Sequence, residues 1–169
     1  MELKNYQKIV YDTAINCGLK DVQAKLIVGQ ATLESGRFKS NVFLKTNNAF
    51  GMKVPNKRPK TYIKGASGIV MKSEGSTPYA EYESLQQSVT DLIKGWHIFN
   101  KTNWEKITTA NEYANYLKSK GYYGSDIQGY ISNIANTVKT LSWIRPATNT
   151  IAVLFFISIA SYLIYKNYY

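Results

Sequence analysis

The chain holds one cysteine, Cys17, and one histidine, His97. The first fact excludes an intramolecular disulfide framework and any cysteine-rich zinc site. The second excludes a multi-histidine metal centre, and a Ser-His-Asp triad would have to run through that single residue. No glycine-rich phosphate loop and no metal-ligand spacing is visible, so no cofactor and no metal is expected. The N-terminus lacks the unbroken apolar run of a signal peptide, because Glu2, Lys4 and Asp12 interrupt it. Acid is scarce: 11 Asp and Glu stand against 21 Lys and Arg, a formal net charge of +10 over 169 residues. None of the acids lies between Glu34 and Glu74, an interval that carries Arg37, Lys39, Lys45, Lys53, Lys57, Arg58, Lys60, Lys64 and Lys72. A block of one sign makes a local positive field. It reads either as a solvated surface or as an attraction for a polyanion, and charge alone does not choose.

What is present is the material of one compact domain with a small appendage. Apolar residues make up 44% and charged residues 19%, a globular rather than disordered balance. Fourteen tyrosines suit surfaces that are half apolar and half wet. Tyr6, Ile9, Val10, Thr13, Ala14 and Cys17 recur at helical spacing, with Gly18 placed to stop the helix. Asp21 is a candidate cap for a second helix with Leu26, Ile27, Ala31 and Leu33 inside, running to about Ser35 before Gly36. Periodicity is lost from about 36 to 83. There Thr61 to Lys64 and Ile69 to Lys72 flank Gly65-Ala66-Ser67-Gly68, which predicts a β-hairpin with a four-residue loop. Ser84 and Gln87 form a capping-box pair ahead of Leu85, Val89, Leu92, Ile93, Trp96 and Phe99. A further helix uses Tyr113, Ala114 and Leu117 and ends at Gly121. Asp126 caps the next, whose inner face is Ile127, Tyr130, Ile131, Ile134, Val138 and Leu141. The chain before residue 144 is therefore α+β, mainly α.

The last segment is a different material. Pro146 through Tyr165 carries no charge. A helix from Ala147 to Tyr165 would span roughly 28 Å, close to the hydrocarbon thickness of a bilayer. Trp143 and Arg145 flank one end, and Tyr165, Lys166, Tyr168 and Tyr169 the other. Residues 147–165 are read as a single transmembrane helix, so the domains are 1–143 and an anchor with a short tail at 144–169. The expected localisation is a membrane, with a lipid bilayer as partner through 147–165.

Glu34 is the most informative residue. Ile27, Ala31 and Glu34 fall at i, i+4 and i+7, one stripe of a helix. The carboxyl group is thereby aimed at the interior side of a helix end. Against apolar walls it would resist ionisation, and the negative end of the helix dipole pushes the same way. A carboxyl group protonated near neutrality is a general acid. Periodicity alone leaves equally open a glutamate at a frayed end facing solvent.

The wider pattern runs Gln30-Ala31-Thr32-Leu33-Glu34-Ser35-Gly36 with Ser40, then Asn47-Asn48-Ala49-Phe50-Gly51-Met52-Lys53. It continues with Tyr79-Ala80-Glu81-Tyr82-Glu83-Ser84, Ser88 and Asp91, and ends with Gly121-Tyr122-Tyr123 and Tyr130. Over about residues 5 to 141 this succession resembles the bacterial glucosaminidases of glycoside hydrolase family 73, which include flagellar and autolytic peptidoglycan hydrolases. The resemblance implies a lysozyme-like two-lobed fold with a small β-hairpin. It implies cleavage of β-1,4 bonds in the peptidoglycan glycan strand, with Glu34 on the family's catalytic acid. Asn48, Phe50 and Gly51 fall on the motif that shapes the groove, and Tyr122 on a tyrosine lining it. Phe50, Tyr62 and Tyr122 are candidates for stacking on sugar faces.

Family members often carry a second acid on the first hairpin strand, where this chain has Lys60-Thr61-Tyr62-Ile63-Lys64. Glu74 is the nearest candidate, with Glu81 and Glu83 as alternatives. Three mechanisms stay open: Glu74 activating water, the substrate's own acetamido group as nucleophile, or Glu34 alone as in lytic transglycosylases. A non-catalytic wall-binding membrane protein is the alternative outside enzymes. No nucleic acid is expected as partner, since that reading leaves the glutamate motif unexplained. Small size, the absent signal and the terminal apolar segment together suggest a lytic enzyme of a bacterial virus, in a virion membrane.

Overall fold

A computed structural model describes residues 1–70, 76–98, 100–122 and 126–145. The architecture is helical with a small β excursion: α1 (Leu3–Asn16), α2 (Asp21–Glu34), α3 (Asn41–Thr46), β1 (Gly65–Ala66), β2 (Ala80–Glu81), α4 (Leu85–Thr90), a π-helical segment (Asp91–His97), a 3-10 turn (Trp104–Lys106), α5 (Ala110–Ser119), α6 (Ile127–Lys139) and a closing 3-10 turn (Thr140–Trp143).

The centre of the molecule is α2, packed against α1 on one side and α6 on another. Its sequence predicts one inner face, but Gln23, Ala24, Leu26, Ile27, Val28, Gly29, Gln30, Ala31 and Thr32 are all buried. A helix enclosed all round shows no polar stripe, which is why periodicity understates it. Gly29 sits where α6 crosses, and a Cβ there would stand 2.9 Å from Ile134 Cγ2. Asp21 does not cap this helix. It is the first helical residue, and its carboxylate accepts from Tyr11 Oη at 2.8 Å and Lys25 Nζ at 2.9 Å, a partner turned aside by neighbours before it reaches the backbone.

Three helices end by the same device. Gly18, Gly36 and Gly121 all have positive φ. In each case the glycine N–H bonds three residues back and the following N–H bonds five residues back: Leu19 to Ala14 O, Arg37 to Thr32 O, Tyr122 to Leu117 O. This is the Schellman ending, which turns the chain sharply after its last helical residue. Two of the three endings lie beside the groove described below.

The β structure differs from its sequence reading. Gly65–Ala66, expected as the hairpin loop, is itself a strand and pairs antiparallel with Ala80–Glu81 in the register Gly65–Glu81 and Ala66–Ala80. Residues 61–64, expected as a strand, begin with a turn closed by Ile63 N–H to Lys60 O at 3.0 Å. The reason is a third segment: Ala80 N–H bonds Met52 O, Val54 N–H bonds Pro78 O, and Lys53 bridges Tyr79. The 78–82 segment is thus flanked on both sides. Its partners are the residues whose backbone reaches it, Met52 and Val54 on one side and Lys64 to Ile69 on the other, so the pairing does not follow the strand propensity of residues 61–64.

The helix from Ser84 is also modified. Ser84 Oγ accepts from Gln87 N–H at 3.2 Å, while the Gln87 side chain accepts from Glu83 N–H at 3.1 Å. From Asp91 the helix widens into π geometry. Asp126 caps α6 as expected, accepting from Gly129 N–H at 2.9 Å. Of the inner face expected for α6 and the turn after it, Ile134 and Leu141 are fully buried and the others are partly covered. Ile144, one residue past the expected domain boundary, is 2% exposed and belongs to the core. Among the described residues no helix is long and apolar enough to cross a membrane. The 147–165 segment lies outside the described residues.

Candidate active site

A groove of about 1070 Å³ runs between the helical part and the β excursion. Glu34, at the end of α2, lines it. The chain after Glu34 turns away at once, because Gly36, Arg37 and Phe38 take positive φ in succession. Two of these are not glycine, a conformation that costs of order 1–3 kcal/mol each and persists only where the surroundings enforce it. The surroundings are visible. Ser35 is fully buried, accepts from Phe38 N–H at 2.8 Å and donates to Ala31 O at 2.5 Å, and its carbonyl accepts from Ser40 N–H. The Phe38 ring stacks on Tyr6 and meets Phe43 edge-on, with centroids 5.1 and 5.3 Å apart. The strained turn therefore fixes where the last carboxylate of α2 stands.

The Tyr130 hydroxyl donates to Glu34 Oε1 at 2.7 Å. Tyr113 donates to Gln30 Oε1, one helical turn behind Glu34, at 2.5 Å, and Tyr122 donates to Phe50 O at 2.5 Å. Burial pushes all three phenols well above their ordinary value, and the charge of Glu34 adds to the shift in each. They stay protonated throughout the working range, so none of them serves as a base.

The opposite wall is the Asn47–Lys53 turn. Asn48 is buried and saturated: Nδ2 donates to Met52 O and Ala80 O at 2.8 and 2.9 Å, and Oδ1 accepts from Phe50 and Met52 N–H at 3.3 and 3.0 Å. Gly51 follows at φ +61. Asn48, Phe50 and Gly51 all line the groove. Phe50 is 2% exposed, so its ring serves packing more than stacking. Lys53 Nζ lies over the Tyr79 ring, 3.3 Å from its centroid, a cation–π contact on the groove wall.

The structure brings together Glu34, Asn48, Phe50, Gly51 and Tyr122. It does not bring Tyr62 to them, since Tyr62 is half-buried in the turn before β1 and is not a groove residue. Glu74 lies outside the described residues. Glu81 is paired with Lys64 at 2.7 Å, and Glu83 lines a smaller cavity at the N-terminal end of α4. Trp96 and Lys120 line the groove without having been expected there, and Tyr130 was read as an inner-face residue and as the end of the family-like pattern, with no role assigned to its hydroxyl. Nothing in local spacing marks Tyr130 as a donor, because its partner is 96 positions away. His97 takes no part in the groove. It is fully buried, and burial pushes its pKa down to about 3.

Among the described residues, the groove thus carries a carboxyl group at a helix end, hydrogen-bonded by the half-buried Tyr130. The chain belongs to the glucosaminidase family: the family model described as mannosyl-glycoprotein endo-beta-N-acetylglucosaminidase matches residues 13–142. No curated protein matches the chain. Among solved structures, it is similar to a type VI secretion system effector–immunity complex from Pseudomonas protegens, with 19% identity, a TM-score of 0.57, and 82% of this chain and 89% of that one covered. It is also similar to the catalytic domain of the autolysin Auto from Listeria monocytogenes, with 20% identity, a TM-score of 0.50, and coverage of 82% and 81%. At these identities the likeness is one of fold.

Proposed function

We propose that this protein cleaves β-1,4 bonds of the peptidoglycan glycan strand as an N-acetylglucosaminidase, with Glu34 as general acid. The observation that carries this is Glu34 itself: the last residue of α2, on the groove, with one carboxyl oxygen held by Tyr130. Protonation of the leaving glycosidic oxygen needs an acid fixed within hydrogen-bond reach of the scissile bond, and the strained turn and the phenol supply that fixity. Membership of the glucosaminidase family supports the bond type, and an autolysin among its structural neighbours supports the polymer.

The second group is assigned to Glu74. The substrate's own acetamido group and single-glutamate transglycosylase chemistry are the competing routes, and Glu81 and Glu83 are engaged elsewhere. The apolar, uncharged run 147–165 is proposed as a bilayer anchor, and the enzyme as a wall-cutting component of a bacterial virus that contains or contacts a membrane.

A zymogram of purified walls tests the reading. Clearing by wild type and none by Glu34→Gln is expected, and equal clearing by both removes Glu34 from the mechanism. Mass spectrometry of the released muropeptides then identifies the reducing-end sugar. A hydrated end is the expected product, and an anhydro end would replace hydrolysis with transglycosylation.

A further inference from the structure

Arg58 belongs by sequence to the positive run, yet it is not a surface cation. Its side chain is 4% exposed and that of Asp91 is 0%. Nη1 donates to Asp91 Oδ1 at 2.6 Å and Nη2 to Oδ2 at 2.7 Å, a two-pronged pair. The Tyr82 hydroxyl adds a third donor to Oδ2 at 2.8 Å. Room for the pair is made by Gly95, one turn on from Asp91. A Cβ there would stand 2.4 Å from Asp91 Oδ1 and 2.8 Å from Arg58 Nη1. A glycine inside a helix costs of order 1 kcal/mol relative to alanine, and this one sits within the π-widened segment. A buried ion pair is itself a poor source of stability, because desolvation offsets most of its attraction. Three unfavourable features therefore converge on one contact.

The contact holds a wall of the groove. Val54, Pro55, Asn56 and Arg58 all line it. Val54 N–H is bonded to Pro78 O, and Ile63 N–H to Lys60 O. Between those bonds, among the described residues, the hydrogen bonds and ion pairs of residues 55–59 are those of the Arg58 guanidinium. The far end of the pair stands on the segment that also supplies Trp96 to the groove. Through Tyr82 it reaches the Asn47–Asn48 turn, since Asn47 Nδ2 donates to Tyr82 O at 3.0 Å.

We propose that Arg58 and Asp91 are positioning residues: the clasp they form, with Gly95 as its seat, sets the position of the 54–58 wall and hence the fit of the groove to the strand. The catalytic carboxylate is fixed separately, by Tyr130 and the 35–40 turn. Loss of the clasp should therefore loosen substrate binding more than it slows the chemical step.

The test uses the full chain with Arg58→Gln, and with Gly95→Ala as a variant that disturbs the same contact while keeping both charges. Amide hydrogen exchange is read by mass spectrometry at residues 54–60 and, for reference, in α2. Expected is exchange roughly tenfold faster or more in the wall with α2 unchanged. On wall substrate, KM should rise about tenfold while kcat changes much less. Wall exchange unchanged in folded variants overturns the clasp, as does a fall in kcat at unchanged KM. The kinetic arm rests on the proposed function and the exchange arm does not, so a wild type that cuts no wall, alongside variants that show the exchange change, sinks only that function. Should Arg58→Gln not fold, Arg58→Lys and Gly95→Ala carry the same comparison.

Discussion

The Tyr130 hydroxyl reaches Glu34 Oε1 across 2.7 Å, joining the second turn of α6 to the last residue of α2. The bond holds the carboxyl group at the groove. A hydrogen bond of this kind contributes about 1 kcal/mol. Tyr130→Phe keeps the ring and its packing but removes the hydrogen bond to that oxygen. The expected result is a folded enzyme with kcat lower by about 10- to 100-fold and KM little changed. Steady-state kinetics on solubilised glycan strands measure the split. A variant with full kcat would show that the turn after Ser35 positions Glu34 without help.

Gly29 packs against Ile134 where α2 meets α6, and a Cβ there would stand 2.9 Å from Ile134 Cγ2. Gly29→Ala forces Ile134 or its helix to move, and overpacking of this kind costs about 1–3 kcal/mol. Removing Ile134 Cγ2 should restore part of the loss, so Gly29→Ala with Ile134→Ala should be more stable than the sum of the two single changes predicts. Urea unfolding of the four proteins decides it. Strict additivity would mean that the helices separate without strain.

His97 is enclosed by Trp96, Trp104, Tyr113 and Tyr116, and Nε2 meets the Tyr113 hydroxyl at 3.1 Å. Burial depresses its pKa from 6.5 to about 3. Between these values the unfolded chain binds a proton that the folded chain does not. The contribution is therefore complete above about pH 6.5 and is lost as pH falls toward 3, at most about 1.4 kcal/mol for each pH unit. His97→Gln should be less stable than wild type near pH 7, where its contacts are missed, and the gap should shrink in acid. Denaturant midpoints from pH 7 to pH 4 measure it, and a constant gap would show that His97 is protonated in the fold.

The helices were legible because their ends are written locally. Gly18, Gly36, Gly121, Ser84 and Asp126 act within five residues of themselves. The stripe at i, i+4 and i+7 left Glu34 open between groove and solvent, and it was the Gln30–Gly36 motif that singled it out; the structure has it lining the groove. The strands were not, since two residues carry no period, and the pairing of Gly65 with Glu81 depends on a segment at 52–54 that is distant from both. Arg58 was hidden inside a run of cations, and its acid stands 33 positions away with nothing at intermediate range to connect them. The β-branched Thr61 and Ile63 pointed to a strand where the backbone makes a turn, because a third segment decided the partners. Local chemistry fixed the helix ends here, whereas the groove walls were set by contacts between distant parts of the chain.

Asn48 is the point where those distant contacts meet. Its amide donates to two carbonyls, Met52 O and Ala80 O, and its oxygen accepts from two N–H groups. All four bonds are within a site that is 1% exposed. Asn48→Asp is the sharpest probe because it changes no volume. One carboxylate oxygen would keep the Phe50 and Met52 N–H donors, and the other would face two carbonyl oxygens at under 3 Å. A buried charge pressed against acceptors costs several kcal/mol unless it takes up a proton. As a neutral acid it has one hydrogen for two carbonyls, which leaves one acceptor unmet. The variant should lose about 2–4 kcal/mol at neutral pH and recover part of it in mild acid, where protonation is easier. Asn48→Ala should lose a similar amount at neutral pH without the recovery. Unfolding midpoints of both variants at pH 7 and pH 5 separate the two cases. Equal losses at both pH values for Asn48→Asp would mean that water enters the turn and solvates the new charge.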